Sequence, residues 1–159
     1  MTQSQIRIRP YRAADAPSMA RLYFDSVRAL GLRRYSPEQV AAWAPEPPSP
    51  AKVHARAGDG RVTLIAERPT GELLAYGDLE RDGHIDHLYR HPAAEPGTAQ
   101  TLLLALIDRA RADGLDRLYV EASELARGLF ERNGFIVRRR RDLNLRGVAI
   151  HNFAMERRV

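Results

Sequence analysis

The stretch from His84 to Glu121 limits the possible folds of this chain more than any other. A strand entered at His84 is followed, after Pro96-Gly97, by a strongly periodic helix and then by a second strand, Arg117 to Glu121. In the helix, Leu103, Leu106, Ile107 and Ala110 fall on one stripe, and Asp113-Gly114 is its stop signal. Two strands joined through a crossover helix lie parallel in one sheet. That unit puts the chain in the α/β class and demands a sheet with helices packed on it.

The rest of the chain supplies the other layers. Ile6 to Arg9 reads as a strand. Asp15 is a candidate cap for a helix that has Pro17 in its first turn and Met19, Leu22, Tyr23, Val27 and Leu30 on its buried side, with Gly31 as its stop. Ser36-Pro37-Glu38-Gln39 has the form of a capping box and opens a second helix, whose buried side is Val40 and Trp43. The prolines between Pro45 and Pro50 end it. Strands are expected at Val62 to Glu67, Leu73 to Glu80 and His84 to Arg90, separated by the turns PTG and RDG. Ser123 caps a short helix holding Ala126, Leu129 and Phe130, which Asn133-Gly134 closes. Phe135 to Arg140 and Val148 to Glu156 are expected to pair across DLNLRG. No internal repeat or linker interrupts the order, so 159 residues are read as one domain over 1–159.

Composition excludes several function classes. The absence of cysteine removes a thiolate nucleophile, a disulfide framework and cysteine-bound metal. No apolar run approaches the roughly 20 residues of a membrane span, and the start MTQSQIRIRP has no signal-peptide core, so a soluble, cytoplasmic protein is expected. The net charge of +5 favours anionic partners. The densest basic run, Arg138 to Arg141, has no aromatic residues interleaved and reads as a solvated strand edge. Nucleic-acid binding is therefore not expected.

The element order is strand, two helices, three antiparallel strands, helix, strand, helix, two strands. Together with the strings IRIRPYRAADAPSMARLYFDSV, GHIDHLYRHP and VEASELARGLFERNGF, it resembles the GNAT superfamily of acetyl-CoA-dependent N-acetyltransferases over essentially the whole chain. YSPEQVAAWAP and IHNFAMERR resemble one bacterial subgroup of that superfamily. The resemblance implies a mixed, mostly antiparallel sheet with one parallel pair, splayed where the cofactor enters. It implies direct transfer of an acetyl group from acetyl-CoA to a primary amine of a small molecule or peptide, and leaves a homodimer open.

It also implies where the site lies. The pyrophosphate of the cofactor would meet the helix start at Gly97, Thr98, Ala99, Gln100 and Thr101, where the first amides of a helix are unpaired. A backbone amide between Leu88, Tyr89 and Arg90 would polarise the acyl carbonyl. Ser123 takes the place of a pantetheine-binding residue, with a helix cap as its alternative role. Phe130 stands where relatives often carry a proton-donating tyrosine, which leaves water, Tyr89, Tyr119 or Tyr23 for that task. The loop departs from the family pattern in Glu95, Pro96, Thr98 and Gln100. An acidic side chain beside a pyrophosphate costs about 1 kcal/mol at a solvated site, and the lost proline donor about 1 kcal/mol more. A scaffold that binds another ligand or a partner without catalysis is the alternative reading. The general base is expected at His84, with Asp86 and Glu80 beside it, because an imidazole titrates near neutral pH. No metal site is expected, since strand alternation separates His84 from His87.

Overall fold

A computed structural model describes residues 5–159 and arranges them as two four-stranded sheets. The first sheet has the order β1 (Arg7–Pro10), β2 (Val62–Glu67), β3 (Leu73–Leu79) and β5 (Leu88–Arg90), antiparallel throughout. The second has the order β4 (His84–Ile85), β6 (Arg117–Ala122), β8 (Val148–Arg158) and β7 (Ile136–Leu145), with β4 and β6 parallel. Helices α1 (Ala16–Leu30), α2 (Pro37–Trp43), α3 (Pro50–Ala57), α4 (Thr98–Ala112) and α5 (Arg127–Arg132) complete the chain. No helix among the described residues is long and apolar enough to cross a membrane.

The expected crossover is present as β4–α4–β6. Leu102, Leu103, Leu106, Ile107 and Ala110 of α4 are buried in one cluster with Leu64, Ala75 and Leu79 of the first sheet and Leu118 and Val120 of the second. Each leucine-sized side chain so buried contributes about 1.5–3 kcal/mol. The turn into β4 needs Gly83, which has φ +98° and lies so close to β6 that a Cβ would sit 2.2 Å from the Arg117 carbonyl oxygen.

The strand expected over His84 to Arg90 is two strands in different sheets. Asp78, buried on β3, causes the break. Its Oδ1 accepts the amide N–H of Asp86 at 3.2 Å and of His87 at 2.8 Å. Two successive amides turned onto a side chain make a bulge: bonds to the β3 side continue around it, Glu80 N–H to His84 O at 2.8 Å and Asp78 N–H to His87 O at 3.0 Å, while only His84–Ile85 also pairs with β6 and Leu88–Arg90 stays on β3 alone. The sheets part at this point.

Three further expectations change. Helix α3 occupies the tail of the proline-rich segment: Ser49 accepts the Lys52 N–H and Pro50 takes the first helical position, as Ser36 and Pro37 do for α2. Asp15 does not cap α1 through its side chain. Its carboxylate accepts the Arg12 N–H and pairs with Arg9, both at 2.8 Å, closing the short turn before the helix. The segment DLNL is strand rather than turn, and the hairpin reverses at Arg146-Gly147, both at positive φ. Arg138 to Arg141 lie on β7, the edge of the second sheet, and Arg138 pairs with Glu156 at 2.6 Å.

Candidate active site

The gap between the sheets is a cleft of about 860 Å³. Leu88, Tyr89 and Arg90 line one side, Ser123, Leu125 and Leu129 another, and the start of α4 closes an end. Register decides what β5 offers to it. Tyr89 lies opposite Tyr76, and the flanking bonds Asp78 N–H to His87 O (3.0 Å) and His91 N–H to Leu74 O (2.7 Å) fix the phase. The peptide groups of Tyr89 therefore face β3, while those of Leu88 and Arg90 face away from it, along the free edge.

At the start of α4, Gly97 is left-handed with φ +89°. Thr98 N–H bonds the Glu95 carbonyl at 3.2 Å and Thr101 N–H that of Gly97 at 2.9 Å. Among the described residues, the amides of Gly97, Ala99 and Gln100 have no protein acceptor. The departures in the loop are tied down by neighbours. Glu95 Oε1 lies 2.7 Å from the Arg68 guanidinium. Gln100 exchanges two side-chain bonds with Asn133, at 2.8 and 2.7 Å. Arg33, Arg90 and Arg132 also line the cleft, and none is paired with a carboxylate among the described residues. Three open amides, the positive end of a 15-residue helix and three guanidiniums fit a diphosphate.

Beyond the cleft, His84 and Tyr119 are partners in the parallel pair, and their rings stack at 4.7 Å. The Tyr119 hydroxyl donates to Asp82. His84 Nδ1 is 2.7 Å from Glu80 Oε1, and Nε2 is 2.5 Å from Glu121 Oε2. Ionised carboxylates only accept, so both ring nitrogens donate and the ring is an imidazolium. Burial pulls its pKa down, the bonds to Glu121 and Glu80 outweigh that, and the net shift is upward. A ring in that state has no lone pair with which to take a proton. Polar atoms of Glu80, His84 and Asp86 converge within 4.8 Å of one another. The Arg61 guanidinium is already among them, 3.3 Å from Asp86 and 3.8 Å from Glu80, and supplies the positive charge that a metal would bring.

The family model described as the acetyltransferase (GNAT) domain matches residues 32–157. The chain belongs to the GNAT acetyltransferase family. It is similar to an uncharacterised N-acetyltransferase, YafP, of Escherichia coli (strain K12), with 29% identity over 96% of this chain and 95% of the relative. It is similar in structure to a GCN5-related N-acetyltransferase of Rhodopseudomonas palustris described as aminotransferase, class-II. That match has a TM-score of 0.89 and 33% identity, covering 100% of this chain and 99% of the other. The acetyltransferase YncA of Salmonella typhimurium, described as putative and solved with its cofactor acetyl-CoA, shares the fold at a TM-score of 0.72 and 20% identity, over 98% and 94% of the two chains.

Within this GNAT domain, Leu88, Tyr89, Arg90, Gly97, Thr98, Ala99, Gln100 and Ser123 all line the cleft. Thr101 and Phe130 do not. The Thr101 hydroxyl donates to the Gly97 carbonyl at 3.0 Å. Phe130 is buried edge-on against Phe135 and borders a smaller cavity behind the cleft. Ser123 also caps the turn that follows it, accepting the Ala126 N–H at 3.2 Å. Of the three tyrosines open for proton donation, Tyr89 alone borders both cleft and cavity; burial pushes its phenol well above the usual value.

Sequence reasoning missed the groups that hold this site together. Asp86 does not stand free: Arg56 of α3 lies 2.5 Å from it and 2.8 Å from Asp78, and Arg61 is 3.2 Å from Asp78. Arg56 also faces His87 Nε2 at 2.8 Å, which makes that nitrogen an acceptor and leaves Nδ1–H to donate to the Tyr76 hydroxyl at 3.0 Å. Burial, and then Arg56, lower the His87 pKa to about 3, so this ring is neutral. Glu121 was within reach of the sequence, two residues beyond Tyr119 and so on the same face of β6. Arg56 was not, because its helix has no fully buried residue to give it an apolar stripe.

Proposed function

We propose that the protein is an N-acetyltransferase that moves the acetyl group of acetyl-CoA directly onto a primary amine of a small molecule or peptide. The observation that carries this reading is the shared cleft: the open amides of α4 and the free edge of β5 look into one space. Acetyl-CoA supplies the acyl thioester, and the chain supplies the rest. The amides of Gly97, Ala99 and Gln100 hold the diphosphate. The Leu88 and Arg90 edge offers an N–H to the thioester oxygen, where one well-placed donor is worth about 2.7–4 kcal/mol as negative charge develops.

Glu121 takes the proton from the incoming ammonium. Glu121, 34% exposed, releases that proton to solvent, while the His84 imidazolium, held on its other side by Glu80, keeps the Glu121 carboxylate in place. His84, Glu80 and Asp86 are thus positioning residues behind the base. The amine nitrogen bonds to the acyl carbon and the carbon–sulfur bond breaks; the Tyr89 hydroxyl gives its proton to the departing sulfur and takes the second proton of the nitrogen in its place, so that amide and thiol are released. Direct transfer requires both substrates to be bound together, and with no cysteine in the chain no acyl-thioester enzyme intermediate forms.

Calorimetric titration with acetyl-CoA tests the reading. Saturable binding is expected for the native chain. The Arg68→Ala variant, which frees the Glu95 charge, should bind about five-fold more weakly, a loss of about 1 kcal/mol, and Glu95→Gln in that background should restore affinity. No binding at millimolar acetyl-CoA overturns the acetyltransferase reading and leaves the scaffold that binds another ligand.

A further inference from the structure

Behind the cleft lies a second cavity of about 170 Å³ that shares Leu88 and Tyr89 with it. Its volume is about one fifth of the cleft's, so of the two spaces it is the one for a narrow group. Its walls include Trp43, Phe130, Leu143, Leu145 and Ile150. Two carboxylates, Glu121 and Asp86, face into it. In a chain with 25 lysines and arginines, not one lines this cavity. His151 lies on its border, with Nε2 held 2.7 Å from Glu124.

We infer that the acceptor presents the end of an unbranched alkylamine to this cavity, as a free diamine or the side chain of a lysine does. The inference rests on the acetyltransferase reading and names the substrate class of the same site. Apolar walls hold methylenes by excluding water from them. An ammonium at the inner end meets Glu121, whose Oε2 holds His84 and whose Oε1 has no partner among the described residues. The charge of Asp86 is already matched by Arg56 and Arg61. An α-amino acid would bring its carboxylate against Glu121, whose cationic partner His84 is already shared with Glu80, while Arg56 and Arg61 are committed to Asp78 and Asp86; like charges forced together cost several kcal/mol. Glycine and alanine are therefore rejected by charge, and α-branched amines by width.

The test is release of coenzyme A thiol from acetyl-CoA with a set of amines. Butylamine, 1,4-diaminobutane and lysine amide blocked at its α-amine form one arm; glycine, alanine and alanine amide form the other. The alkylamines should exceed the α-amines in kcat/KM by about 100-fold. A preference within the first arm separates a free diamine from a lysine side chain. Leu143→Arg, at a position already 37% exposed, places a guanidinium at the cavity. It should lower kcat/KM for alkylamines about ten-fold and leave the acetyl-CoA affinity and the melting temperature unchanged. Equal or faster transfer to the α-amines, or no transfer to any alkylamine while acetyl-CoA still binds, overturns the inference and leaves the acetyltransferase reading standing. Failure to bind acetyl-CoA removes both.

Discussion

Two histidines three residues apart, His84 and His87, are held in opposite charge states by what surrounds them. His84 has carboxylates on both ring nitrogens, while His87 is buried against the Arg56 guanidinium. The consequences for stability have opposite sign. The folded pKa of His84 lies above its unfolded value of about 6.5. Its bonds therefore stabilise fully below that pH, and the contribution is lost as pH rises through the folded pKa. His84→Ala should destabilise more at pH 6 than at pH 9. His87 binds a proton in the unfolded chain below about pH 6.5 but in the folded chain only near 3. Between those values the native chain loses stability on acidification by up to about 1.4 kcal/mol per pH unit, and His87→Asn should flatten that slope. Urea unfolding at a series of pH values checks both, and parallel profiles for variant and native chain would refute the assignments. The sequence shows an imidazole at each position. The charge state of each depends on groups 4 to 37 residues away and was not legible there.

The element with the most consequence for its size is α3. It buries none of its eight residues completely, yet Arg56 at its end reaches Asp78 and Asp86 across the break between the sheets. Removing one partner of a buried ion pair leaves an uncompensated charge and typically costs 3–5 kcal/mol. The Asp78 side chain is only 4% exposed, but Arg61 remains beside it, so Arg56→Ala should cost about 3 kcal/mol. Thermal and denaturant unfolding would show this; a cost under about 0.5 kcal/mol, as for an ordinary surface substitution, would refute the role. The strongly periodic helix α4 and the capping box of α2 were legible because local sequence decides them. The Ser-Pro start of α3 repeats that of α2, but without an apolar stripe the proline-rich context dominates the reading.

Across the whole molecule, the cleft is a seam. β5 contributes its wall from the first sheet, and the segment after β6 contributes the opposite wall from the second. A ligand filling it bridges the two sheets and binds only when they are correctly placed. Acetyl-CoA at 100 times its dissociation constant should stabilise the fold by about 2.7 kcal/mol. For a chain of this length that raises the melting temperature by about 5–10 °C, and an unchanged melting curve would show that the seam does not hold the nucleotide. Element order, the parallel pair and the helix start at Gly97 were all legible, since each follows from periodicity and turn chemistry. The division of one apparent strand between two sheets was not, because it hangs on Asp78, which sits unmarked inside a strand pattern. The Asp78 carboxylate grips the amides of Asp86 and His87 just where the ribbon from His84 to Arg90 lets go of β6. From there on the ribbon follows β3 alone, and the doorway in this protein is an unfinished sheet, opened where one kinked strand turns away from its neighbour.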